Sequence, residues 1–230
     1  MTKKTIALAA ALLMALTAGC GSKDSDSTGT GASAYPEGTT RPSELGYTVS
    51  EQLFEKDFAD IPDIDEGPLL TISNTTVKPG GTAEVTISVA NAAGNWSMCG
   101  LHIVYPDILK CVLFDEINRE PDYEPGLAIK QSIATVAREW QNNLPEDLQK
   151  AHKGSVFFTA VCPSDAGRDG AIATFYFKVP QNAQPGTVYN FDYYYSSNSA
   201  TKDIFTNEAS DPMLEKYAFS HWTGGTVTVE

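Results

Sequence analysis

Residues 169–186, DGAIATFYFKVPQNAQPG, confine this chain to folds built from two-faced strands. Alternation sends Ala171, Ala173, Phe175, Phe177 and Val179 to one side and Ile172, Thr174, Tyr176 and Lys178 to the other. The first row is wholly apolar and is expected to line a core. The second mixes apolar and polar side chains, the composition of a surface that meets water or a partner. The same period of two recurs through 69–73, 82–90, 99–105, 109–114, 155–161, 187–195 and 225–230, with turn signals such as Lys78-Pro79-Gly80-Gly81 and Pro106-Asp107 between runs. Short strands in this number, without an internal repeat, predict an all-β sandwich or jelly roll.

Two stretches interrupt the strand rhythm. Within 115–153, the segment 127–140 sets Ile129, Ile133, Val136, Ala137 and Trp140 at helix-compatible intervals, and Pro145-Glu146-Asp147 looks like a second helix start, so an inserted helical flap is expected. Residues 196–224 form a second long excursion. Upstream, Leu53, Phe54 and Phe58 at helical spacing predict one short helix over 50–58 that docks on the domain, a transient helix being the alternative.

The N-terminus reads as an address. Lys3 and Lys4 precede an apolar run from Ile6 to Leu16 that is too short to span a bilayer as a stable helix. Leu16-Thr17-Ala18-Gly19-Cys20 then resembles a bacterial lipobox, in which cleavage leaves Cys20 as the lipid-bearing residue. The expected organisation is a lipoprotein signal peptide over 1–19, a flexible tether with a possible short helix over 20–66, and one domain over 67–230. Residues 21–46 are rich in Ser, Thr, Gly and acids, and such a stretch buries too little apolar surface to offset its ordering entropy. Cleavage would remove two lysines, leaving 14 basic residues against 29 acidic ones. So acidic a chain makes nucleic acid an unsuitable partner, and membrane attachment would rest on lipid rather than charge.

No catalytic constellation is evident. His102, His152 and His221 lie in separate segments without metal-ligand spacing, and neither a GxSxG elbow nor a phosphate loop occurs. Adjacent acids such as Asp115-Glu116 and Glu146-Asp147 read as solvated edges or a helix start. With Cys20 assigned to lipid, Cys99, Cys111 and Cys162 read as small buried thiols, a disulfide among them staying open. No enzyme, resident metal or cofactor is therefore expected.

The succession LTISNTTVKPGGTAEVTISVAN, GLHIVYPDIL, DGAIATFYFKVPQNAQPG and closing GGTVTV, over 69–230, resembles the cohesin modules of bacterial cellulosome-type assemblies. The resemblance implies a nine-stranded jelly-roll β-sandwich that binds dockerin, a small calcium-loaded helical module on another protein. Calcium would thus belong to the partner. In cohesins the partner lies on the sheet of the third, fifth, sixth and eighth strands. Transferred here, that implies Met98, His102 and Val104 on the third strand, Phe158 on the fifth, and Ile172, Thr174 and Tyr176 on the sixth. Alternation alone also points these residues away from the expected core. The resulting expectation is a monomeric, non-catalytic cohesin, lipid-anchored on the extracellular face of a bacterial membrane, that captures polysaccharide-degrading enzymes or scaffold subunits. An alternative is a carbohydrate-binding lipoprotein, with Tyr189, Tyr193, Tyr194 and Tyr195 joined by Trp140 and Trp222 as a sugar platform.

Overall fold

The computed structural model describes residues 46–140 and 144–230. The expected signal peptide, Cys20 and most of the tether lie outside the described residues. Nine strands of four or more residues dominate: β1 (Leu69–Ile72), β2 (Asn74–Val77), β3 (Thr82–Ala90), β4 (Met98–Pro106), β5 (Ala134–Trp140), β6 (Lys153–Val161), β7 (Gly170–Lys178), β8 (Val188–Tyr193) and β9 (Gly225–Val229). Three helices accompany them: α1 (Thr48–Phe58), α2 (Glu146–Lys150) and α3 (Pro212–Ser220).

The strands form the two layers of a jelly-roll sandwich. In the first sheet β3 lies between β1 and β7, with Trp222–Thr223 parallel to β1 and the short strands Lys110–Cys111 and Tyr123–Pro125 pairing β7. The second runs β2-β9-β8-β4-β6-β5, with Ile204–Thr206 also pairing β4. The chain changes sheet at Ser73, whose backbone N–H and side-chain Oγ both bond Thr86, so β1 and β2 serve opposite layers within one extended run.

Between the layers the expected apolar rows meet. Ala173, Phe175, Phe177 and Val179 of β7 join Val85 and Ile87 of β3 against Leu101, Ile103 and Tyr105 of β4, Phe158 of β6 and Phe191 of β8. Ring contacts bridge the sheets, with Tyr105 to Phe177 at 4.8 Å and Phe177 to Phe191 at 4.9 Å. At one end the Glu139 carboxylate is buried on the inward side of β5. It is acceptable there because Tyr105 Oη donates to it at 2.7 Å and Arg119 pairs with it.

One expectation changes here. Residues 134–140 form β5, while only Leu127–Ile129 is helical, as one 3-10 turn. Helix-compatible spacing lost to the long antiparallel edge that β6 offers, where Thr135 and Val136 fit as β-branched strand residues. The flap keeps one true helix, α2, starting where Pro145 signals it. Helix α1 covers the short helix expected over 50–58 and docks on the domain as expected. Phe58 enters the main core, Phe54 and Phe58 contact the Tyr195 ring at 5.7 and 5.4 Å, and Asp57 accepts from Tyr195 Oη.

Candidate docking face

The outer face of the second sheet is organised in rows by its register. Trp140, Ser155 and Val104 lie side by side across β5, β6 and β4. The next rows are Arg138, Phe157 and His102, then Val136, Thr159 and Gly100, then Ala134, Val161 and Met98. Ile204–Thr206 extends the last two rows beyond β4. One end of this face is open. Val136 is 47% exposed there, and Ile133, just before β5, is 73% exposed, while Trp140 in the Val104 row is 36% exposed.

The other end is covered. Val104, Tyr194, Leu144, Leu148 of α2 and Tyr47 at the start of α1 form a second small hydrophobic cluster on this outer side. Asp147 ties it together, accepting from Val49 N at 3.0 Å and from Tyr194 Oη at 3.2 Å. The flap therefore roofs the Val104 end and leaves the Met98 end free.

Across the middle, the 196–203 loop is fastened by a buried hydrogen-bonded pair. Asp203, 1% exposed, accepts from His102 N at 2.6 Å and Ser196 N at 2.7 Å, and its Oδ2 lies 2.7 Å from His102 Nδ1. Burial raises the Asp203 pKa, and the neighbouring imidazole opposes that rise. The His102 ring lies 4.7 Å from that of Phe157. Gly100 makes this approach possible, since a Cβ there would meet Lys202 O at 2.6 Å.

The seven expected docking residues do not share one surface. Met98 and His102 do lie on the outer face of the second sheet, His102 largely buried by its loop. Val104 faces the same way but is roofed by α2. Phe158 points inward between the sheets, and its neighbour Phe157 occupies the outward position. Ile172, Thr174 and Tyr176 belong to β7, in the other sheet. Ile172 is 0% exposed because a register shift between Ala171 and Ala173 removes it from the alternation and turns it into the core. Thr174 and Tyr176 face outward, but on the far side of the sandwich: Thr174 Oγ1 bonds Thr86 Oγ1, and a hydrogen bond with Glu124 pushes the Tyr176 pKa up to about 12.

The supposed sugar platform is dispersed. Tyr189, Tyr193, Tyr194, Tyr195 and Trp222 are buried, which leaves Trp140 the exposed member of that set. The described cysteines Cys99, Cys111 and Cys162 are free, and burial raises all three thiol pKa values, that of Cys99 to about 12. Among the described residues no cluster of three or more metal-ligating side chains occurs.

The described residues thus form a jelly-roll sandwich whose second sheet has a partly open outer face. Neither a protein-family model nor a curated relative matches the sequence. Among solved structures, a type III cohesin module from the cellulosomal ScaE cell-surface anchoring scaffoldin of Ruminococcus flavefaciens matches with a TM-score of 0.59 and 26% identity, over 76% of this chain and 92% of that one. The sixth cohesin of Acetivibrio cellulolyticus scaffoldin B, in complex with a Cel5 dockerin mutant, matches with a TM-score of 0.49 and 15% identity, over 72% of this chain and 100% of that one. The likeness supports a cohesin module, a non-catalytic class of domain, over most of the described residues.

Proposed function

We propose that the module captures a dockerin-bearing protein on the open end of the second sheet's outer face, with Val136, Val161 and Met98 as its apolar centre and Trp140 at its border with the α2 roof. The observation that carries this reading is the exposure of Val136 on a strand held in register by β6, with Trp140 on the same strand exposed at the edge of the roof. Interfaces concentrate binding energy in such anchors, surrounded by polar groups such as Arg138 and Thr159 that exclude water. Calcium would enter with the partner. One face of this size engages one dockerin at a time, so the chain acts as a monomeric anchor for an enzyme or scaffold subunit.

The lipobox completes the reading. Lipid on Cys20 would hold the module on the outer surface of a bacterial membrane, a placement consistent with the cell-surface anchoring scaffoldin that it resembles. The test is a pull-down of secreted dockerin proteins by the full chain, with calcium and with a chelator. Capture in calcium alone supports the proposal, and failure to capture any dockerin in calcium would refute it.

A further inference from the structure

Where the open face meets the α2 roof, a cavity of about 340 Å³ enters the sheet. Trp140, Leu144, Pro145 and Leu148 make an apolar wall, Ser196, Asn198 and Thr201 line the side of the 196–203 loop, and His102 and Ser155 contribute further polar groups. Two features mark it as a binding site rather than a packing gap. Ser155 is 2% exposed, and its Oγ is buried without a hydrogen-bond partner among the described residues, a state that ordinarily costs about 1–3 kcal/mol. His102 is 8% exposed, and its Nε2 has no partner there either.

The Asp203 network sets what this histidine offers. Both Asp203 oxygens accept hydrogen bonds, from His102 N on one side and from Ser196 N and His102 Nδ1 on the other. The Nδ1 proton is thus committed to Asp203, which leaves Nε2 as an acceptor. An acceptor beside the Ser155 hydroxyl, which can both donate and accept, is complementary to one inserted hydroxyl group. The walls specify what carries it. The wall of Leu144, Pro145 and Leu148 offers no partner to the ring hydroxyls that a sugar would turn toward it. A cation would find no carboxylate among the lining residues. A phenol has the required order, an apolar body with a polar tip.

We infer that this cavity is an anchor pocket for a tyrosine side chain presented by the docking partner, its hydroxyl reaching His102 Nε2 and Ser155 Oγ. The inference rests on the docking face proposed above, with which the pocket shares Trp140. Tyrosines seated in such pockets are typical interface anchors, because two torsions suffice to place a large amphipathic group.

The test titrates the full chain with p-cresol, toluene and methyl glucoside, following the His102 imidazole by NMR. p-Cresol should bind saturably and shift Nε2, with toluene about tenfold weaker, and Ser155→Ala should remove most of that difference. This variant deletes only an unpaired hydroxyl, so the fold is retained. Equal binding of p-cresol and toluene, absence of saturable p-cresol binding, or tighter binding of methyl glucoside would each overturn the pocket assignment. Dockerin binding is read in parallel. If p-cresol binds as expected and dockerin does not, the docking face fails while the pocket's phenol selectivity stands. If dockerin binds but p-cresol does not compete and Ser155→Ala leaves its affinity unchanged, the anchor pocket fails and the docking face stands.

Discussion

At the scale of single residues, the docking face depends on the Asp203–His102 pair, because one carboxylate holds a loop, a strand and an imidazole together. Removing one partner of a buried pair leaves the other uncompensated, so Asp203→Ala should cost about 3–5 kcal/mol in urea unfolding. A loss below about 1 kcal/mol would show that the loop is held by other means. Residue-level detail is also where sequence reading reached its limit. Segment 156–161, VFFTAV, is apolar on both faces, so parity alone could not decide whether Phe157 or Phe158 pointed outward. Ile172 misled for a different reason: one bulge, fixed by Gly126 N donating to Ile172 O at 2.8 Å, reversed its side.

At the scale of elements, β5 and α2 divide the outer face into an open and a covered part. Leu148 is buried in the small cluster beneath α2, and Leu148→Ala should cost about 2–4 kcal/mol while leaving the sandwich intact by near-ultraviolet circular dichroism. Global unfolding of that variant would mean that the roof is integral to the core. The strands with clean alternation, β3 and β7 above all, were legible from local pattern. Which strands share a sheet was not, because β7 pairs β3 across some ninety positions and nothing local in DGAIATFYF encodes that partner. The edge strand β5 was hidden likewise, since its helix-like spacing is overruled only by pairing with β6.

At the scale of the whole molecule, acidity and burial act in the same direction. Asp203, Asp192 and Glu215 have pKa values raised first by burial, opposed respectively by His102, Lys153 and Lys202. An acid with a raised folded-state pKa holds its proton more tightly folded than unfolded. Its contribution to stability is full below the unfolded value of about 4 and is lost as pH rises through the folded value. The net charge of −13 adds self-repulsion at higher pH. Asp115 and Glu146, lowered by hydrogen bonds, act oppositely but are solvent-screened and titrate nearer the acid end. The thermal midpoint should therefore rise as pH is lowered from 8 to 5, and a fall over that range would contradict the assignment. Attachment is a separate property: Cys20→Ala should release the protein from membranes, and continued retention would contradict lipid anchoring.

The central claim is that the partner occupies the outer face of the second sheet and not that of the first. Calorimetric titration of a calcium-loaded dockerin that the full chain captures, into wild type, Val136→Asp and Tyr176→Ala, tests it directly. Val136→Asp should weaken binding by about tenfold or more, and Tyr176→Ala should leave affinity within about twofold of wild type. The reverse pattern, with Tyr176→Ala damaging and Val136→Asp neutral, would put the docking surface on the opposite sheet.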